Sequence, residues 1–419
     1  MMKHSEDKQP INHLTAHLFR ENAGKMTAVL SRWYGIENLD CITDAIQDTF
    51  ESAILKWRYS GVPDNPAAWL MRVARNTTIN QLKRNRKTTS LTEIDNIKKT
   101  EPDVVFSDHE ITDSQFCLLL ACCRLELSVQ KRIIITLHIL CGFGTKEIAN
   151  ALLMSDDAIK KALYRAKADL KNKQQLFVNP GQQDIQTHIT LLHTLLYLLF
   201  NEGYKVTNGK TGINTDLCYE AIRLLKMVRE YDPTHTETNG LLALLFFTIA
   251  RFPARMTTTG EWLTLAEQDR NLWNDKLIAE GFYYLNHARP EKELNAYYLE
   301  ALIASLHCTA PNFDQTNWTQ IVYLYRQLEV LQPDSVLLRL NRIVAEMHVE
   351  MNFELLEAID RLETLLTNED RFVFLTAKAY GYKKLDDTIM AANWYREALS
   401  YAKTEIDRTF ILKKLASDQ

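Results

Sequence analysis

Across 419 residues there are only 13 glycines and 10 prolines. These are the residues that end helices and shape tight turns. A chain so poor in them is suited to long helices joined by short connections, and the expected fold is all-α. Length adds a second constraint. A single hydrophobic core stops growing at about 250–300 residues, so two or three domains are expected.

The net charge of −4 conceals an asymmetry. Residues 1–184 carry 25 Lys and Arg against 22 Asp and Glu, a net of +3, and the remainder carries 24 against 31, a net of −7. A nucleic-acid surface is therefore expected in the first half. None of the seven cysteines sits in a CxxC pair or beside a histidine at ligand spacing. No metal site and no cofactor are expected, and the thiols read as reduced core residues. Met1 to Pro10 is polar, unlike a signal peptide. The greasiest runs, Leu191–Phe200 and Gly240–Ala250, are too short to cross a bilayer. The expectation is a cytoplasmic protein with no membrane contact.

Asp40 to Trp57 reads DCITDAIQDTFESAILKW. Ile42, Ala45, Ile46, Phe50, Ala53, Ile54 and Trp57 fall on one helical stripe, with Asp40, Asp44, Gln47, Asp48 and Glu51 opposite. Such carboxylates repel one another. They form either an ordinary solvated face or a docking face for a basic partner helix. After the loop Tyr59–Asn65, Asn65 is placed to cap a helix that starts at Pro66. Its character is opposite: from Asn65 to Thr92 there is no acid, whereas Arg72, Arg75, Lys83, Arg84, Arg86 and Lys87 supply six cations. Asn76, Thr77, Asn80, Gln81 and Trp69 are interleaved, while Leu70, Val73, Ala74, Thr77 and Leu82 can keep one side buried. Cations neutralise phosphates, amides read base edges, and an aromatic ring can support an unstacked base. Trp69 is equally placed to be a core residue.

A polar stretch, residues 88–112, reads as a linker between a first domain (8–87) and a second (113–175). The second domain is expected to open with a helix over 113–127. A helix capped by Ser128 then ends at Gly142 and Gly144. The most specific pattern follows, GTKEIANALLMSDDAIKKALYRAK from Gly144. It predicts a helix over Thr145–Ala151, a tight connection at Leu152–Met154, and a second helix capped by Ser155. That helix buries Ile159, Ala162, Leu163 and Ala166, and it leaves Asp156, Asp157, Lys160, Lys161, Tyr164, Arg165 and Lys167 outside. This is a helix-turn-helix with a basic recognition helix.

These segments, in this order and spacing, resemble regions 2 and 4 of the sigma-70 family. More narrowly they resemble its extracytoplasmic function (ECF) group, which lacks the intervening region 3. The resemblance implies a region 2 bundle, a region 4 helix-turn-helix, and no enzymatic activity. It implies core RNA polymerase (beta and beta-prime subunits) and promoter DNA as partners. The face Asp44, Gln47, Asp48 and Glu51 would meet the beta-prime coiled coil. Trp69, Arg72, Arg75, Asn76, Asn80, Lys83 and Arg84 would open and hold the −10 element. Ser155, Asp157, Lys160, Lys161, Tyr164 and Arg165 would read the −35 element. Asp156 and Asp157 depart from the small or apolar residues usual after the N-cap serine, which leaves the −35 preference open.

Residues 185–419 carry no Gly-rich phosphate loop or catalytic motif. Ala377, Tyr380, Ala391, Tyr395 and Ala398 follow the spacing of a tetratricopeptide (TPR) unit, and Ala345 and Ala358 suggest another. The expectation is a TPR-like regulatory domain, with an unnamed ligand or protein as its partner. Leu195–Tyr204, Gln268–Gly281 and Leu340–Glu346 resemble a C-terminal extension of one ECF subgroup, which carries it in place of a dedicated anti-sigma gene. Asp269, Arg270, Trp273, Glu280, Asn201 and Glu202 are polar groups amid apolar sequence, suited to a ligand pocket or to a buried structural network. His193, His235 and His307 show no metal spacing. Two other readings are open: a ligand-sensing helix-turn-helix regulator acting without polymerase, and a repeat scaffold that binds protein. The acid-free helix argues against the first, the helix-turn-helix against the second.

Overall fold

The computed structural model describes residues 8–86, 108–152, 154–172, 182–204, 214–257, 261–366 and 370–416. Among them there is no β-strand, only an isolated bridge between Met256 and Trp262. The chain divides into two compact units, Met1–Leu195 and Leu196–Gln419. Lys87 and residues 88–107, the larger part of the expected linker, lie outside the described residues.

The first unit begins with α1 (Lys8–Tyr34), α2 (Leu39–Ser60) and α3 (Pro66–Arg86). The apolar stripe of α2 is buried at Ile42, Ala45, Ile46, Phe50, Ala53 and Trp57, and Ile54 is half-buried. It meets Ala23, Met26, Val29 and Leu30 of α1 and Leu70, Met71 and Ala74 of α3. Each large side chain so buried contributes about 1.5–3 kcal/mol, so this core fixes α2 beside α3. Asn65 caps α3 by accepting from the Ala68 N–H at 3.0 Å, with Pro66 in the first helical position.

Helix α4 (Asp108–Arg124) starts earlier than expected, taking Asp108–Thr112 from the segment read as linker. Ile111 packs against the α1–α3 core, and burying it draws the helical turn upstream. The helix also stops before Leu125 rather than at Leu127, whose N–H turns back to the Leu125 carbonyl at 2.8 Å. Helix α5 (Val129–Ile139) ends short of the expected glycines, and Gly142 turns the chain at φ +70°. Ser128 occupies its N-cap position but makes no side-chain capping bond. Helices α6 (Thr145–Ala151) and α7 (Asp156–Asn172) form the expected pair, with Ile159, Ala162, Leu163 and Ala166 buried. Helix α8 (Gln182–Tyr204) follows, and the division between the units falls within it.

The second unit continues through α9 (Thr215–Tyr231), α10 (Thr236–Ala250), α11 (Asp275–His287) and α12 (Ala296–Thr309). Beyond lie α13 (Trp318–Leu331), α14 (Val336–Val349), α15 (Phe353–Leu362), α16 (Arg371–Lys384), α17 (Thr388–Ser400) and α18 (Glu405–Ala416). Asn214, Asn274, Asn295, Asn317, Ser335, Asn352 and Asp387 each accept a backbone N–H from the first turn they precede. Such caps contribute about 1 kcal/mol each, and they set where these helices start. Helix α10 is apolar nearly all round and packs on α11 and α12. Further on, α13 pairs with α14 and α16 with α17. Ala377, Ala391, Tyr395 and Ala398 are buried where the last two helices meet, and Tyr380 is half-buried. Between the pairs runs an aromatic stack. His348 lies on Trp318 with centroids 4.0 Å apart, and its Nε2 is 3.2 Å from the Tyr380 hydroxyl. Burial and nearby Lys384 push the His348 pKa down to about 4.

Glu300 of α12 places its carboxyl 3.4 Å from the Tyr197 hydroxyl of α8, and burial raises its pKa to about 7. The folded chain therefore binds a proton that the unfolded chain releases. This contribution is complete below the ordinary glutamate range and is lost as pH rises toward 7. Chemical denaturation should show stability falling as pH rises from 4.5 to about 7, by up to about 3 kcal/mol from this group. In Glu300→Gln that slope should flatten, and an unchanged slope would remove the assignment.

Candidate nucleic-acid interface

The faces of α2 and α3 that are not buried in their shared core carry opposite charge. On α2, Asp40, Asp44, Gln47, Asp48 and Glu51 are all exposed. Asp48 is not a free carboxylate: it accepts from Gln81 Nε2 of α3 at 2.9 Å. Gln81 Oε1 lies 3.4 Å from the Cys41 thiol. Gln81, one of the amides interleaved along α3, thus ties the two faces together.

On α3, Arg72, Asn76, Asn80, Lys83 and Arg84 are exposed and Arg75 is half-buried. The Arg75 guanidinium sits 5.6 Å from the centroid of Trp33. Trp69 packs against the α1–α3 core, tilted on Trp57 at 5.4 Å, and is half-buried. It thus shows one ring surface to the interior and keeps part of the other outside. Helix α2 runs on to Ser60, so Tyr59 belongs to its last turn rather than to the expected loop, and there it is 92% exposed, a large apolar ring held out in solvent.

The helix-turn-helix presents Ser155, Asp157, Lys160, Lys161, Tyr164 and Arg165 outward, and Tyr164 is 78% exposed. Ser155 Oγ caps α7 by accepting from the Ala158 N–H at 3.2 Å. Asp156 is half-buried rather than outside and pairs with Lys160 at 2.6 Å. Hydrogen bonds from Lys160 and Thr145 hold the Asp156 carboxyl below its usual range. Lys160 is held above its own by Asp156. Both acids at the helix start also suit its dipole.

Lys167 differs from its expected place as well. It is half-buried on α7, with its ammonium 4.0 Å from Asp40. Lys171, one turn further, pairs with the same carboxylate. The two helical pairs of this unit are therefore packed together, and a glycine sets their spacing. A Cβ on Gly24 of α1 would stand 1.8 Å from the carbonyl oxygen of Leu140, just past α5. Only a residue without a side chain lets the α1 backbone approach that carbonyl.

Of the six polar residues singled out in the C-terminal half, Arg270 stacks over Trp273 at 4.6 Å. Asp269 accepts from the Asn271 N–H, Asn201 bonds the Tyr197 hydroxyl, and Glu280 is exposed. Arg270 and Trp273 are thus brought together. His193 is buried, and His235 caps α10. Among the described residues no group of His, Cys, Asp and Glu could hold a metal ion. No helix among them is long and apolar enough to cross a membrane.

Residues 18–88 match the family described as sigma-70 region 2, and residues 117–170 match sigma-70 region 4. The chain belongs to the sigma-70 family. The matched spans of this sigma factor are α1–α3 and α4–α7, the elements that carry both charged faces and the helix-turn-helix. Core RNA polymerase and promoter DNA are thereby its partners in general terms. Residues 189–289 match a family of unknown function (DUF6596), which covers most of α8 through α11. The sigma factor is also similar to an uncharacterized protein of Rhizobium meliloti (strain 1021). The two are 35% identical over 314 residues, 74% of each chain.

Gly24→Ala should force α1 away from Leu140 and loosen the packing of the two halves of this unit. The cost expected is that of overpacking, about 1–3 kcal/mol. Hydrogen exchange of the amides around Leu140 should quicken in Gly24→Ala, whereas α2 and α3 amides should keep their protection. Equal loss of protection in all of them would mean that Gly24 serves the α1–α3 core instead.

Proposed function

We propose that this protein is an ECF-type sigma factor that acts without enzymatic chemistry in the cytoplasm. The reading divides it into a region 2 domain (8–87), a linker (88–112), a region 4 domain (113–175) and a TPR-like regulatory domain (185–419). Asp44, Gln47, Asp48 and Glu51 dock on the beta-prime subunit, with beta as the second polymerase contact. Trp69, Arg72, Arg75, Asn76, Asn80, Lys83 and Arg84 hold the −10 element. Ser155, Asp157, Lys160, Lys161, Tyr164 and Arg165 meet the −35 element. The observation that carries the reading is the pair of exposed faces of opposite sign on α2 and α3, anchored by one core.

The physics behind each role is simple. Opening a base pair costs on the order of a few kcal/mol. A surface that captures the freed strand must supply cations for phosphates, amides for base edges and a ring for stacking within one helix length. Helix α3 carries all three, and the carboxylates sit on the neighbouring helix α2, where Asp48 is tied to Gln81. At the −35 end, Lys160 must exchange Asp156 for a phosphate or a base edge, which lowers its net gain. Lys161, Tyr164 and Arg165 carry no such tie among the described residues, so most of the affinity falls to them.

Mixing the protein with sigma-free core polymerase should give promoter-dependent transcripts. No transcript from any genomic fragment, together with no binding to core, would overturn the proposal. Asp48→Arg should weaken core binding by about tenfold or more, since it reverses charge on the docking face. Gln81→Ala removes the same α2–α3 hydrogen bond but keeps the carboxylate, and it should leave core binding unchanged. Arg165→Ala should lower promoter affinity about tenfold and spare core binding. Lys160→Ala should have the smaller effect of the two.

A further inference from the structure

Where α10 ends, the second unit gathers arginines that have no acidic partner among the described residues. Arg251 is the C-terminal cap residue of α10, Arg270 lies in the 3-10 turn Arg270–Leu272, and His307 and Cys308 lie in the last turn of α12. Arg270 is anchored: its Nη1 donates to the His307 carbonyl and, at 2.8 Å, to that of Ala310. Its guanidinium rests 4.6 Å from the ring centroid of the buried Trp273. Sealed from solvent and without a hydrogen-bond partner among the described residues are three donors of this group, Arg251 Nε, Arg270 Nη2 and Trp273 Nε1, and the ring nitrogen His307 Nδ1. One turn beyond Arg251, Arg255 lies between Tyr204 and Trp262, 4.1 and 4.0 Å from their centroids, and its Nε is likewise sealed and unpartnered.

Charge balance sharpens the point. Among the described residues none of Arg251, Arg255 and Arg270 has a carboxylate within ion-pair distance. Arg251 and Arg270 repel each other, and the one group acting in their favour is Cys308, whose thiol burial pushes up to about 11. The thiol is thus neutral near pH 7. Burial and the two arginines push His307 down to about 3, so it is neutral too. An arginine stays charged at any physiological pH. Burying guanidinium groups with donors unmet and charge uncompensated is strongly unfavourable. Water could satisfy the donors but would leave the charge in place. A carboxylate or phosphate does both, and the fork of a guanidinium matches its oxygens.

We propose that Arg251, Arg270, Trp273 and His307 form a binding site for the oxyanion group, carboxylate or phosphate, of a small molecule. The site lies within residues 196–419, outside the segments that carry the two charged faces, and it is a place where this chain can take a chemical signal. It stands independently of the polymerase reading.

The test uses the full-length protein with sodium phosphate and sodium acetate as probes, and sodium chloride at matched ionic strength as the control. Thermal unfolding and titration calorimetry should show a saturable rise in Tm with phosphate or acetate and none with chloride. The oxyanion that acts at the lower concentration identifies which of the two groups the ligand bears. Arg251→Gln removes one uncompensated charge and should weaken binding about tenfold or more without lowering the Tm of the probe-free protein. Trp273→Phe keeps the ring and deletes one donor. It should weaken binding by a smaller factor, and it serves if Arg251→Gln does not fold. No saturable shift with either oxyanion up to about 50 mM, or a shift that both variants leave unchanged, overturns the proposal.

Discussion

The burial of the α2 stripe is the interaction on which the rest of the first unit depends. Phe50 and Trp57 are 4% and 2% exposed, and their neighbours along the stripe are as deeply set. Because the large apolar residues of α2 other than Ile54, Leu55 and Tyr59 are buried, the residues left outside are mostly polar. The same holds for α3, where Leu70 and Ala74 take the inner side and the cations are left outside. Opposite surface charge on adjacent helices is then a by-product of one packing solution. Neither face needs its own stabilising contacts, so each is available to bind something else.

Fixing two such faces on one core also fixes their relative orientation. Any two ligands taken up on α3 and on α2 would be held on a single support, the arrangement that turns two binding events into one. The helix-turn-helix is joined to that support through α4, which packs on α1, and through two lysine contacts. The lysine contacts with Asp40 are partly solvated ion pairs, a class worth about 0.2–1 kcal/mol each. The close approach at Gly24 adds shape, and the recognition surface of α7 still faces outward.

Much of this was legible in the residues. Period and polarity located α2, α3, α6 and α7, because each has a stripe whose burial outweighs any local preference. The turn chemistry at Asn65 and Ser155 was legible for the same reason that caps work everywhere: their side chains complete the first turn. The start of α4 was not, because it rests on Ile111 meeting a core from another part of the chain. Gln81 and Gly24 were hidden similarly, since their roles appear only when α2 and α3, or α1 and α5, lie side by side. Lys167 looked like one more outward cation until Asp40 stood opposite it. The arginines of the second unit gave half a signal. Arg270 and Trp273 stood out as polar groups in apolar surroundings, but nothing along the chain pairs Arg251 with them.

The stack of His348 on Trp318 has a consequence for proton exchange. Histidine is ordinarily the side chain that takes up and releases protons near neutrality, yet the ring here is kept in its neutral form by its neighbours. The carboxyl beside Tyr197 instead has its midpoint near neutrality. Acidification in the physiological range therefore leaves the imidazole untouched and removes a negative charge from the interior. Near neutrality the group that changes charge here is a carboxyl, and this imidazole stays neutral.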